Sequence, residues 1–128
     1  MTCVGIDTDK PLDTFKDERG IIVDILENID SVTIIHSYAG AIRGNHYHKE
    51  THQWTYIVSG KTRVVTQVNG TTRGDVVESA GALIYHAPGT QHAFQAIEDT
   101  KWLVFTRGPR KGKDYESDTF RLDIPLIK

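Results

Sequence analysis

Apolar and β-branched positions along this chain fall into short, closely spaced runs: Gly20 to Leu26, Val32 to Ile35, Gln53 to Ser59, Thr62 to Val68, Gly81 to Tyr85, His92 to Ile97 and Trp102 to Thr106. None sustains the three-and-four recurrence with which a helix buries one face, so each run predicts a strand, and the helices that a parallel βαβ sheet needs are missing. Turn chemistry separates the runs. Asn69-Gly70 suits a two-residue hairpin turn, Ser59-Gly60 a tighter corner, and Ala87-Pro88-Gly89 a loop that cannot continue a ladder. The pattern predicts consecutive hairpins and an all-β sandwich or small barrel. Residues 1–19 and 108–128 are expected to be edge strands or arms. The second stretch opens with Gly108-Pro109-Arg110-Lys111-Gly112-Lys113 and carries five basic and four acidic residues, so a solvated tail is a plainer expectation for it than an anion-binding arm.

Composition agrees with the pattern. Val, Ile and Thr supply 37 residues against 13 from Ala and Leu, and β-branched side chains favour pleated strands. A length of 128 residues predicts a single domain over 1–128, with a core spanning about 20–107. No apolar run approaches the roughly 20 residues of a membrane span. A formal charge of -2, with neither sign gathered in a block, removes the usual driving force for binding nucleic acid. The single cysteine, Cys3, excludes an intrachain disulfide, and the absence of a secretory signal pattern at the N-terminus makes a cytoplasmic setting the expectation.

The chemistry concentrates in histidine. All six, His36, His46, His48, His52, His86 and His92, fall in less than half of the chain, and three of them lie between positions 46 and 52. Residues i and i+2 of a strand share a face, so His46 and His48 place two imidazoles side by side. Zinc, iron, nickel or manganese accepts such nitrogens at roughly 2.0 to 2.2 Å, and His92, after the Pro88-Gly89 turn, is the best third donor. His86 and His36 read more simply as structural, and Trp54 and Trp102 as core or subunit-contact residues.

Around these histidines the spacing is Gly40, five residues, His46, one residue, His48, four residues, Gln53, six residues, Gly60, and later Gly81, Ala87-Pro88-Gly89, two residues, His92. The two blocks resemble the paired motifs of the cupin superfamily, over roughly residues 40–96. The resemblance implies a jelly-roll barrel, the double-stranded β-helix, with one divalent metal held by His46, His48, His92 and the residue at position 53. That position carries Gln53 where the family has Glu. A Gln oxygen coordinates without charge, so weaker metal retention is expected. His52 is the alternative donor, although neighbouring strand residues face opposite ways. Ile42-Arg43-Gly44-Asn45-His46-Tyr47-His48 and Asp17-Glu18-Arg19-Gly20 further resemble the nucleotide-sugar branch: dTDP-4-dehydrorhamnose 3,5-epimerases, the related 3,4-ketoisomerases, and the cupin domain of capsular-polysaccharide UDP-sugar enzymes.

That branch implies removal of a proton beside a keto group of a nucleotide-linked 4-keto-6-deoxy sugar, in surface polysaccharide biosynthesis. His46 takes the position of the base, and Tyr85, Tyr47 and Tyr56 are the candidate acids, with Tyr56 also available to bind substrate. Arg19 and Arg43 are the candidate clamp for the diphosphate, since a guanidinium presents a planar fork to phosphate oxygens. The two roles of His46 compete, because a nitrogen bound to a metal cannot accept a proton; a metallated His46 leaves His48 or a metal-bound water as the base, or makes the metal a Lewis acid that stabilises the enolate. A metal-dependent dioxygenase and a non-catalytic sugar-binding cupin are the alternative functions, and the resemblance implies a homodimer.

Overall fold

The computed structural model describes residues 2–4, 14–69, 71–114 and 116–128, and the regular structure among them is almost wholly β. The chain begins with β1 (Thr2–Val4), β2 (Thr14–Asp17), β3 (Gly20–Val23) and β4 (Ser31–Ser37). It continues with β5 (Ile42–Tyr47), β6 (His52–Ser59), β7 (Lys61–Gln67) and β8 (Gly74–Ser79). Then come β9 (Ala82–His86), β10 (Gln91–Ala96), β11 (Thr100–Arg107) and, after a 3-10 turn at Gly112–Asp114, β12 (Phe120–Arg121). No helix among the described residues is long and apolar enough to cross a membrane.

One five-stranded sheet runs β1-β9-β6-β11-β4, a second runs β12-β5-β10-β7-β8, and β2 and β3 form a separate hairpin. Ile57, Ala82, Ile84, Trp102 and Val104 of the first sheet meet Val64 and Phe94 of the second in one buried cluster, so the core lies between the sheets. Each Val, Ile or Phe side chain there contributes about 1.5–3 kcal/mol relative to exposure. Trp102 Nε1 donates to Thr62 Oγ1 across the core at 2.8 Å, which leaves the polar atom of the largest core side chain paired.

Each run falls on a strand, while β5 and β8 lie outside the runs, and the pairing differs from a series of hairpins. Among the described strands only β2 with β3 and β7 with β8 pair with a sequence neighbour. Elsewhere the chain passes from one sheet to the other, as at Gly60, whose φ is +87° and whose added Cβ would stand 2.5 Å from the Asp99 carbonyl oxygen. A half-buried strand has the same side-chain pattern whether its neighbour lies beside it or across the core, so the runs locate strands without naming partners. The Asn69-Gly70 connection is likewise longer than two residues. It spans 68–73, with Thr71 N–H donating to Val68 O at 2.9 Å, while Gly70 itself lies outside the described residues.

The ends fit the sheets. β1 pairs in parallel with β9. The C-terminal stretch is an edge strand with a packed extension and not a solvated tail: β12 pairs with β5, and Leu126 and Ile127 are buried against Val65 and Ala93 on the outer face of the second sheet.

Candidate metal centre

The site begins with an irregularity in β5. His92 of β10 stands opposite His46, but the next residue, Ala93, stands opposite Gly44, so Asn45 is an extra residue in the strand. Gly44 and Asn45 have φ of +88° and +55°. At Gly44 a Cβ would lie 2.9 Å from the His92 carbonyl oxygen, which leaves room only for glycine. The bulge changes the parity of the strand. Arg43 and His46, three residues apart, both line the same cavity, which an unbroken pleat forbids. Asn45 turns outward and clasps the C-terminal extension, its Oδ1 accepting from Leu126 N–H at 2.8 Å and Ile127 N–H at 3.1 Å.

Three imidazoles converge. Ring centroids are 4.9 Å apart for His46 and His48, 4.7 Å for His46 and His92, and 5.3 Å for His48 and His92. One nitrogen from each lies within 4.8 Å of the others. Two of the rings are oriented by backbone carbonyls: His48 Nδ1 donates to Asp118 O at 2.9 Å, and His92 Nδ1 donates to Thr90 O at 3.1 Å. In the neutral ring this leaves the lone pair on Nε2. His92 Nε2 and His46 Nδ1 are buried with no hydrogen-bond partner among the described residues. His48 Nε2 faces Gln53 Oε1 at 3.2 Å. A ring nitrogen and an amide oxygen this close share a proton or a cation, and both are atoms that a divalent ion accepts as ligands. The donor set fits a divalent metal, and two of the three rings, His48 and His92, have their outer N–H anchored as metal-binding histidines usually do.

Electrostatics point the same way. Burial first, then His48 and Arg110, pushes His46 down to about 3. Burial likewise takes His92 well below its usual value and His86 down to about 3. His46, His86 and His92 are neutral at pH 7, and the first and last hold their lone pairs free. His86 stacks on His92 with centroids 4.6 Å apart and planes 5° from parallel.

The cavity beside the triad, about 60 Å³, has an apolar floor of Ile35, Phe94, Trp102 and Val104, and both Arg43 and Arg110 line it. Arg43 Nε donates to Ser37 Oγ at 2.8 Å. The other sequence candidates lie elsewhere. Tyr85 falls between Ile84 and His86 and so turns to the opposite face, where it stacks on Trp54 and meets His52 Nδ1 at 2.6 Å through its hydroxyl. His52 is thereby on that outer face, and Gln53 on the inner one. Tyr56, between the inward Thr55 and Ile57, also faces out, and Tyr47 stacks on Phe120 at 5.4 Å. Arg19 sits in the β2–β3 turn, 81% exposed and paired with Asp17 at 2.7 Å, and is not among the cavity residues. Sequence reasoning missed Arg110, which stands in the basic stretch read as tail, and Asp118, whose backbone oxygen carries no residue-type signal.

The family model described as Cupin matches residues 26–114. The oxalate decarboxylase OxdC of Bacillus subtilis is 37% identical over an alignment of 102 residues that covers 77% of this chain and 24% of that protein. Capsular polysaccharide assembling protein CapF from Staphylococcus aureus superposes with a TM-score of 0.64 and 22% identity over 92% of this chain and 36% of its own. QdtA, a sugar 3,4-ketoisomerase from Thermoanaerobacterium thermosaccharolyticum in complex with TDP, gives 0.68 and 19% over 88% and 85%. The chain thus spans about a quarter of the curated relative and about a third of CapF, and the two superpositions establish a common fold.

Proposed function

The chain belongs to the cupin family, and on that premise we propose that it is an epimerase or isomerase of a nucleotide-linked 4-keto-6-deoxy sugar, serving surface polysaccharide biosynthesis. The observation that carries this reading is a cavity in which inward-facing imidazoles meet two arginines over an apolar floor. Extent supports it as well: the chain spans 85% of a ketoisomerase that was solved with TDP, but only 24% of the oxalate decarboxylase.

His46, His48 and His92, with Gln53 Oε1 beside them, would hold the divalent ion. Bound there, it supplies Lewis acidity for the charge that gathers on a keto oxygen when the neighbouring carbon is ionised. Arg43 and Arg110 receive the anionic part of the substrate, and Arg43 is already oriented by Ser37. Phe94, Trp102, Ile35 and Val104 keep bulk water off the reacting carbon. With a pKa of about 3, His46 is a weak proton acceptor at pH 7, and none of the cavity residues is acidic, so nothing there raises it. His46 therefore serves better as a ligand than as the base.

The test is solvent exchange. Metal-loaded protein incubated in deuterated water with a dTDP-linked 4-keto-6-deoxyhexose is expected to place deuterium on the carbon beside the keto group, read by NMR. No exchange from a substrate shown to bind would remove the proposal. A second reading, action on a small dicarboxylate, draws on the 37% identity to the oxalate decarboxylase and on the cavity's modest volume. Consumption of oxalate without exchange into the keto-sugar would select it.

The working unit is proposed to be a cytoplasmic homodimer. Phe15, Ile21 and Ile22 of the hairpin and Val32 and Ile34 of the edge strand β4 are 58–62% exposed, and a two-stranded hairpin is marginal alone. Light scattering at micromolar concentration should return twice the chain mass; a strict monomer would refute it.

A further inference from the structure

Asp118 joins two parts of the site with two different groups. Its backbone oxygen accepts from His48 Nδ1 at 2.9 Å. Its carboxylate accepts three consecutive backbone N–H groups, from Lys49 to Oδ1 at 2.8 Å and from Glu50 and Thr51 to Oδ2 at 2.8 and 2.7 Å. The loop so held is the one that links His48 to Gln53. Asp118 does this from the left-handed region, with φ of +59°, a conformation that costs a side-chain-bearing residue free energy and is kept here by the four hydrogen bonds. The contrast with His92 is informative. That ring is oriented by Thr90, two residues away on its own turn, whereas His48 depends on a residue 70 positions further along the chain.

We infer that Asp118 is a positioning residue for the triad: its carboxylate clasp sets the carbonyl that fixes the His48 ring, so the C-terminal segment controls how well His48 and Gln53 converge. The inference rests on the metal reading of the triad given above. The clasp acts in two ways. With Nδ1–H committed to Asp118 O, Nε2 is the nitrogen left for an ion and lies 3.2 Å from Gln53 Oε1; with the loop 49–51 fixed, Gln53 is delivered to the same point from the facing sheet. Release of the carboxylate leaves the carbonyl in the chain but free to turn away, and the ring then loses both its tautomer and its angle.

The experiment compares wild type with Asp118→Ala, Asp118→Asn and, as a control that loosens the same segment elsewhere, Leu126→Ala, which cuts a buried side chain from the cluster with Val65. Cobalt(II) titration with its visible spectrum reads the site, and thermal unfolding without metal reads the fold. Asp118→Ala is expected to weaken cobalt binding by about 10- to 100-fold and alter the band shape, the range typical of lost outer partners of a ligand. Asp118→Asn, which tolerates the left-handed conformation and keeps an acceptor oxygen, should recover part of that loss. Leu126→Ala should lower the unfolding temperature without changing affinity or spectrum. Wild-type cobalt affinity and spectrum in Asp118→Ala, or an equal loss in Leu126→Ala, would overturn the inference. If wild type itself takes up no cobalt, the metal reading fails separately, and the nitrogen-15 NMR signals of the His48 ring decide. A fixed Nδ1–H tautomer in wild type that is lost in Asp118→Ala sustains the positioning role, and an unchanged ring refutes it.

Discussion

Metal-free protein carried from pH 7 to pH 5 should lose much of its stability, well before its carboxylates protonate. His46 and His86 are held at about 3 and His92 well below its usual value, in each case chiefly by burial, whereas the same rings in an unfolded chain titrate near 6.5. Between those limits the unfolded state binds protons that the folded state refuses. Stability is therefore full above about 6.5 and falls as the pH drops toward 3. Each ring contributes a slope of about 1.4 kcal/mol per pH unit once well below 6.5, so three rings remove several kcal/mol by pH 5, out of the roughly 5–15 that a domain possesses. Asp118 acts in a different window. Burial works to raise its carboxyl, but the N–H groups of Glu50, Lys49 and Thr51, with the Thr51 hydroxyl, outweigh that and hold it low, so its contribution disappears only below about 4. Urea melts at pH 7, 6 and 5 check the expectation: a midpoint that does not move would show the rings to be solvated, and His86→Phe should flatten the slope by one group while keeping the stack on His92.

Removing a ligand should have the largest effect on function. His92→Ala deletes the imidazole whose Nε2 is buried without a partner, and elemental analysis after desalting is expected to find less than a tenth of the wild-type metal, with turnover down at least about 100-fold. His46→Asn should match it in metal loss if His46 is a ligand; retained metal with lost turnover would instead make it the base. Both variants should keep the β spectrum at pH 7, because the cluster around Ile57, Trp102 and Phe94 includes neither side chain. Full metal content in His92→Ala would end the metal reading.

Strand positions were legible because burial between two sheets writes itself into short β-branched runs, and the His-x-His pair with His92 was legible because imidazole is a residue-type signal and strand parity puts the pair on one face. Two kinds of information were hidden. β5 and β8 contain few core residues: Ile42-Arg43-Gly44-Asn45-His46-Tyr47 is chosen for a bulge and a site, and Val76 and Val77 of β8 are exposed, so neither reads as an apolar run. Facing was the other. Tyr85 and Tyr56 share strands with core residues, and a single step along a pleat turns a candidate acid to the far side of the sheet. The positive φ at Asn45 and Asp118 and the carbonyl that orients His48 belong to the backbone, which residue types do not describe.

The passage of the chain from sheet to sheet also governs the order of assembly. Nearly every ladder joins segments distant along the polypeptide, β6 with β9 and β11, β5 with β10 and β12. Such topologies mature on the order of milliseconds to seconds, not microseconds, since loop closure precedes reward. His48 obtains its anchor only after residue 118 has been made, so the histidine triad is completed later than the strands that carry it, and apolar strands await their partners until then.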